Sequence, residues 1–144
     1  MYQLRKADNN DYDFVFNLNK AVYKDYFNYV FGSWDEAFQR QFCDSRLKTG
    51  VQIISTEGKD IGVLELIEKE DQIYLEEIQI DPDYQGKGLG SQIIKDIMKK
   101  AFESNLSVGL MVLKINDKAK RLYESLGFTL TGETKTHYIM ECRN

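Results

Sequence analysis

Ile78-Gln79-Ile80-Asp81-Pro82-Asp83-Tyr84-Gln85-Gly86-Lys87-Gly88-Leu89-Gly90-Ser91 reads as the end of a strand, a turn, a glycine loop and the start of a helix. Isoleucines at alternate positions have the period of a half-buried strand, and Asp81-Pro82-Asp83 breaks it. Glycines follow at 86, 88 and 90, and behind them Leu89, Ile93, Ile94, Ile97, Met98, Ala101 and Phe102 recur at helical spacing. Glycine has no Cβ, so the loop turns tightly and brings backbone N–H groups close to a ligand. The first N–H groups of the following helix lack internal partners and sit at the positive end of its dipole. A phosphate group suits that position.

Outward from the loop the chain gives a regular series of elements. Tyr2 to Lys6 alternates as a first strand, Asp8 to Asp11 supplies helix caps, and Phe14, Leu18 and Val22 follow at helical spacing. Ser33-Trp34-Asp35-Glu36 has the form of a capping box and opens a second helix carrying Ala37, Phe38, Phe42 and Leu47. Val51 to Ser55, Ile61 to Ile67 and Ile73 to Ile80 read as strands joined by polar turns. Beyond the loop helix, Ser107 to Leu113 is a strand. Asn116 or Asp117 caps a short helix that stops at Gly127, and Phe128 to Thr131 and His137 to Cys142 close the series. The order β-α-α-β-β-β-α-β-α-β-β predicts an α/β protein with a mixed sheet (α+β in arrangement), in one domain over residues 1–144. The β-α-β unit around the loop should be parallel and right-handed.

Spacing sorts the phosphate loops. A dinucleotide fingerprint needs G-x-G-x-x-G in the first β-α unit, whereas these glycines give G-x-G-x-G past mid-chain. A nucleotide-hydrolase loop needs G-x-x-x-x-G-K-[S/T], but Gly86-Lys87 is followed by Gly88. Gln85-Gly86-Lys87-Gly88-Leu89-Gly90 instead has the form Q/R-x-x-G-x-G/A. After the next strand, Asn116-Asp117-Lys118-Ala119-Lys120-Arg121-Leu122-Tyr123-Glu124-Ser125-Leu126-Gly127-Phe128 matches N-x-x-A-x-x-L-Y-x-x-x-G-F. With these two motifs in this order, the chain resembles the GNAT superfamily of N-acetyltransferases. The likeness is close over roughly residues 60 to 142 and rests on element order before that.

The resemblance implies an acyl-coenzyme A N-acyltransferase fold and acetyl-coenzyme A as cosubstrate. Gln85, Gly86, Lys87, Gly88, Leu89, Gly90 and Ser91 would hold its pyrophosphate, and Asn116 its pantetheine. The strand through Ile78 and Ile80 would splay from the Ser107 strand and bond pantetheine like an added strand. A bulge near Glu77-Ile78 would turn an N–H toward the thioester oxygen. Tyr123 corresponds to the family's general acid for the leaving thiolate, although its helical spacing with Ala119 and Leu122 equally fits packing. An amine of pKa about 10 must lose a proton at pH 7, which costs roughly 4 kcal/mol. Glu76 and Glu77 are the candidate bases. Adjacent strand residues face opposite ways, and Glu77 shares a face with Gln79, opposite the core-like Ile78 and Ile80; a bulge would promote Glu76 instead.

Acceptor specificity, again by resemblance, belongs to the N-terminal third. Tyr23, Tyr26, Phe27, Tyr29, Phe31 and Trp34 stand there with Asp25 and Asp35. Tyr26, Tyr29 and Trp34 are candidates for contacting a cationic amine through their ring faces. The bland alternative puts half of the six rings in the core and the others over the sheet.

Composition bounds the remainder. The chain has 144 residues, 42% hydrophobic and 29% charged, with a net charge of −4 and a pI near 5.1. That balance argues against nucleic acid, which draws basic surfaces, and favours a cationic substrate. One histidine, His137, leaves multi-histidine metal sites and histidine triads nearly excluded, so no metal is expected. Cys43 and Cys142 lack metal spacing and lie outside both motifs. Reduced thiols, a cytoplasmic location and attack without an acetyl-enzyme are expected. No apolar run approaches the roughly 20 residues that span a bilayer, and no signal-peptide pattern opens the chain. A homodimer is the commonest assembly among soluble enzymes. The leading expectation is acetyl transfer to a primary amine, a small cationic one, by direct attack in a ternary complex. A non-catalytic acyl-coenzyme A-binding module and an acetyltransferase of protein N-termini or lysines are the alternatives.

Overall fold

The computed structural model describes residues 1–144, and its elements follow the expected order. They are β1 (Gln3–Lys6), α1 (Tyr12–Phe31), α2 (Glu36–Leu47), β2 (Gln52–Thr56), β3 (Lys59–Glu68), β4 (Gln72–Ile80), α3 (Leu89–Glu103), β5 (Ser107–Leu113), α4 (Asp117–Ser125), β6 (Thr129–Glu133) and β7 (His137–Cys142). Short 3-10 turns precede α1 at Asn9–Asp11 and follow β4 at Pro82–Tyr84. The strands form a seven-stranded sheet in the order β1-β2-β3-β4-β5-β7-β6. β4 and β5 run parallel, whereas β1–β2, β2–β3, β5–β7 and β6–β7 are antiparallel. The sheet is therefore mixed.

Two compact units make up the chain. Met1–Glu65 with Glu77–Lys87 form the first, and Leu66–Glu76 with Gly88–Asn144 the second. In the first, Ala7, Val15, Phe16, Leu18, Cys43, Val51, Ile53 and Val63 form an apolar core flanked by Tyr12, Phe14, Val22 and Leu47. Asp8 and Asp11 make a reciprocal capping box ahead of α1, and Arg5 holds Asp11 through two bonds of 2.8 and 2.9 Å. In the second unit, α3 buries Ile93, Ile94, Ile97 and Ala101, and β5 and β7 bury Val108, Leu110, Val112 and Met140.

Helix α2 corrects two expectations. Its cap is Asp35, whose carboxylate accepts from Phe38 N at 3.1 Å, and Ser33 plays no capping part. Its buried stripe is Gln39, Cys43 and Arg46, while Phe38 and Phe42 are 54% and 44% exposed. The helix is turned so that polar residues face inward because partners await them there. Asn19 Nδ2 donates to Gln39 Oε1 at 3.2 Å, and Arg46 lies beside Glu65, Nε to Oε1 3.8 Å. The pairing is partial, since Gln39 Nε2 and both Arg46 Nη atoms lack hydrogen-bond partners, and Arg46 also covers the Phe42 ring at 5.6 Å.

β4 brings a third correction. Ile73, Leu75 and Gln79 are its buried residues, and Ile78 and Ile80 are only half-buried. The inward parity is thus that of residues 73, 75, 77 and 79, with Glu77 on the packed face and Glu76 exposed. Gln79 is buried with its Nε2 donating to Asn19 Oδ1 at 2.9 Å, while its Oε1 has no partner. Gly62 on β3 allows close approach here, since a Cβ on it would come within 2.5 Å of the Gln79 carbonyl oxygen. No helix is long and apolar enough to cross a membrane.

Candidate active site

The loop after β4 is built by local bonds. Asp81 N donates to Ile61 O at 2.8 Å, tying the end of β4 to β3. Its side chain accepts from Asp83 N at 2.9 Å, and Pro82 starts the 3-10 turn with its φ already set. Gln85 returns its side-chain amide to Ile80 O at 2.8 Å and so braces the base of the loop. Gly86 and Gly88 then take φ values of +76° and +83°, the left-handed region where other residues are strained. Neither would meet an atom within 4 Å if it carried a Cβ. Conformation requires these two glycines; space does not.

Gly88 is the N-cap of α3, and no side chain caps that end. The first helical bond runs from Gln92 N to Gly88 O at 3.0 Å. The N–H groups of Leu89, Gly90 and Ser91 are those a helix start leaves without internal acceptors. The stretch Gln85 to Gly88 is exposed, and Leu89 to Ser91 half-exposed. Lys87 lies over the Tyr84 ring at 5.2 Å, with Lys59 on the same ring at 5.4 Å. A helix N-terminus without a side-chain cap, opened by glycine, is a donor set suited to a multiply charged anion. The pyrophosphate of a coenzyme fits that donor set.

Along β4 the ladder to β5 runs from Gln72↔Ser107 to Leu75↔Leu110. Past Leu75, β4 continues to Ile80 while β5 pairs with β7 through Leu113↔His137. The parallel ladder thus ends before Ile78 and Ile80. Glu77 accepts a hydrogen bond from the Tyr23 hydroxyl at 2.9 Å. That partner, 54 residues away in sequence, escaped the sequence reading, which placed Tyr23 only among the aromatic rings. The buried pairing of Gln79 with Asn19, 60 residues away, escaped it too.

In the second unit, Asn116 caps α4, its Oδ1 accepting from Ala119 N at 3.1 Å. Tyr123 is 8% exposed, and its ring meets Phe128 edge-on at 5.7 Å. The helix ends with Gly127 N donating to Glu124 O at 3.1 Å and Phe128 N to Tyr123 O at 3.0 Å. Gly127 has φ +102°. This is a Schellman end with its usual apolar contact. His137 sits with Nδ1 2.7 Å from Thr136 Oγ1, and burial holds its pKa below the ordinary imidazole value. Burial also raises both thiols, Cys43 to about 11 and Cys142 in the same direction. Neither is a nucleophile at neutral pH.

The aromatic segment differs from the reading that puts half of its rings in the core, because none of the six is buried. Phe27 is the hub, with Tyr26, Phe31 and Trp34 at 5.6, 5.5 and 5.4 Å. Tyr29 is 81% exposed and outside that group. Trp34 donates its indole N–H to Glu36 Oε2 at 2.9 Å, which places a carboxylate at the edge of the cluster.

Comparison with known proteins matches residues 19–128 to the model of the acetyltransferase (GNAT) family. Thialysine N-epsilon-acetyltransferase of Bos taurus is 45% identical over 56 residues, 38% of this chain and 33% of that protein. Spermidine N(1)-acetyltransferase of Escherichia coli K12 is 35% identical over 92 residues, 61% of this chain and 50% of that protein. The chain thus spans a third to a half of the length of these curated relatives. The crystal structure of spermidine N-acetyltransferase from Vibrio cholerae in complex with CoA and spermine superposes with a TM-score of 0.71 at 23% identity, covering 99% of this chain and 95% of that one.

Proposed function

Because the chain belongs to the acetyltransferase (GNAT) family, we propose that it moves an acetyl group from acetyl-coenzyme A to the primary amine of a small cationic acceptor. The observation that carries this reading is the capless, left-handed glycine cradle Gln85 to Ser91 at the start of α3. Acetyl-coenzyme A supplies the acetyl group as an activated thioester. The loop's backbone N–H groups, the Ser91 hydroxyl and Lys87 hold its pyrophosphate. The freed edge of β4 at Ile78 and Ile80 offers backbone groups to the pantetheine arm, and a backbone N–H at Glu77-Ile78 meets the thioester oxygen. Asn116 caps α4 through Oδ1, which leaves its Nδ2 to donate to pantetheine.

Glu77 is the base in this reading. Tyr23 donates to its Oε1, and the carboxylate takes the proton from the acceptor ammonium, directly or through water. Glu76, exposed on the other face, is the alternative if the strand bulges. Tyr123 gives its phenolic proton to the departing thiolate, its ring held by Phe128. Attack is direct, since both thiols are buried and protonated. The acidic net charge, the Trp34–Glu36 edge of the aromatic cluster and the polyamine named for the relatives all favour a cationic acceptor. Tyr26 and Trp34 stand in that cluster; Tyr29 reaches an acceptor only as a solvent-facing ring. The reading takes residues 1–144 as one GNAT domain.

The test is a panel of spermidine, spermine, thialysine, lysine and a peptide bearing a free N-terminus, followed by thiol release from acetyl-coenzyme A. Turnover with a polyamine or thialysine is the expected result. Tyr123→Phe should then lower kcat by about 100-fold, the scale of a lost general acid, with the fold unchanged. Tight coenzyme binding with no turnover of any amine would replace the enzyme by a binding module. Turnover of the peptide alone would overturn the small acceptor.

A further inference from the structure

Two hydrogen bonds join α1 to β4 in step. Asn19 and Tyr23 are four residues apart on α1, on one face and about 6 Å apart along the axis. Glu77 and Gln79 are two apart on β4, on one face and about 7 Å apart. The repeats match, and both rungs form: Tyr23 Oη to Glu77 Oε1 and Gln79 Nε2 to Asn19 Oδ1, each at 2.9 Å. The second rung is deeply buried, with Asn19, Gln79 and Gln39 at 6%, 2% and 1% exposure. Asn19 also donates to Gln39 on α2 at 3.2 Å. A buried amide chain across two helices and a strand permits few alternative registers. It therefore sets the height of α1 against β4, and with it the place of the Tyr23 hydroxyl.

We propose that Tyr23 is a positioning residue for Glu77, its hydroxyl holding the carboxylate in the orientation in which it meets the acceptor amine. The inference rests on the reading of Glu77 as the base. A phenol donating to a carboxylate makes a charge-assisted bond, shorter and stronger than a neutral one. It selects one rotamer of a flexible side chain and favours the ionised form, the form a base needs before the acceptor arrives. The Asn19–Gln79 rung carries no charge and gives the register alone. Glu76, next in sequence, points to the opposite face and does not compete for the hydroxyl.

Tyr23→Phe keeps the ring and removes the donor. The Glu77 carboxyl signal, assigned by its disappearance in Glu77→Gln, is followed by carbon-detected NMR titration in the native protein and in Tyr23→Phe. Its midpoint should rise by about one unit without the donor. The acidic limb of the kcat/KM profile should move the same way, kcat should fall about tenfold from lost orientation, and KM for acetyl-coenzyme A should stay. In a Glu77→Gln background, Tyr23→Phe should cost nothing further. An unmoved Glu77 midpoint overturns the proposal, and so does an equal loss in both backgrounds. If Glu77→Gln is fully active while the midpoint does move, the base assignment falls and takes the positioning role with it, although the contact is real. An inactive Glu77→Gln with an unmoved midpoint sinks Tyr23 alone.

Discussion

Gly86→Ala tests the loop most directly, because structure separates its two effects. With φ at +76° and no atom within 4 Å of the added Cβ, the change meets no collision within the protein. Its cost is conformational, about 1–2 kcal/mol for an L-residue held in the left-handed region. That lowers the melting temperature by roughly 3–6 °C for a chain of this size. The second effect needs the coenzyme. The open space that the methyl enters borders N–H groups assigned to the pyrophosphate, where phosphate oxygens must approach to hydrogen-bond distance. Coenzyme A at about 100 times its Kd should stabilise the native protein by about 2.7 kcal/mol, and a tenfold weaker Kd leaves about 1.4 kcal/mol of that. Gly50→Ala is the control, since Gly50 also has a positive φ, +95°, and open surroundings but lies outside both motifs. Urea unfolding of both variants, with and without coenzyme A, gives all the terms. Equal apo losses with a coenzyme response reduced only in Gly86→Ala is the expected result. An undiminished response in Gly86→Ala would refute the assignment of this loop to the pyrophosphate.

Gly62→Ala places a Cβ 2.5 Å from the Gln79 carbonyl oxygen, a backbone atom that cannot rotate away. Denaturant unfolding should show a loss of about 1–3 kcal/mol, and an unchanged midpoint would mean that β3 and β4 part more readily than this contact implies. Asp11→Asn addresses pH. Hydrogen bonds from Arg5 hold the Asp11 carboxyl below its ordinary pKa. A depressed folded-state pKa means stability that is present above the unfolded carboxyl value of about 4 and lost as pH falls through the folded value. Arg5 is 45% exposed, so solvent screens the pair and about 1 kcal/mol is expected at pH 7. Wild type and Asp11→Asn should converge in urea titrations as pH falls through the folded-state value, and a gap that persists once the carboxyl is protonated would assign the effect to packing.

The parts of the site that the sequence made legible are those fixed by backbone rules. Gly86 and Gly88 stand where φ must be positive, Asn116 where a helix needs a cap, and Gly127 where one ends; such demands are local and leave residue types at fixed spacing. What was misread depended on partners distant in sequence. Phe38 and Phe42 were taken as the inner face of α2, but Gln39 is accepted inside because Asn19 waits for it on α1. Ile78 and Ile80 were taken as core, but Gln79 is accepted because of the same asparagine. Apolarity is a weak guide wherever buried amides pair with each other, and pairing across 20 or 60 residues leaves no trace in local spacing. The core reading of the aromatic cluster fails for another reason: Tyr29 and Phe31, in the last turn of a 20-residue helix, stand in solvent.

The second family hallmark needs two explanations, one for its spacing and one for its tyrosine. Tyr123, Gly127 and Phe128 stand at the positions a Schellman end requires: the donor bonds fall on Glu124 O and Tyr123 O, the left-handed residue is glycine, and the flanking side chains touch. Any helix ending this way would favour apolar-x-x-x-Gly-apolar, whether or not it served catalysis. The ring-to-ring contact, however, asks only for an aromatic face, which phenylalanine supplies without bringing a hydroxyl into a site 8% exposed. Burying a hydroxyl costs free energy that its hydrogen bonds must offset. Helix termination therefore accounts for the ring of Tyr123 and for Gly127 without calling for the hydroxyl. The same division applies at Asn116, where the cap uses Oδ1 and the amide nitrogen is the group left for a ligand. At both ends of α4 the spacing of the motif therefore follows from how a helix starts and stops, whatever its side chains contribute to the proposed reaction.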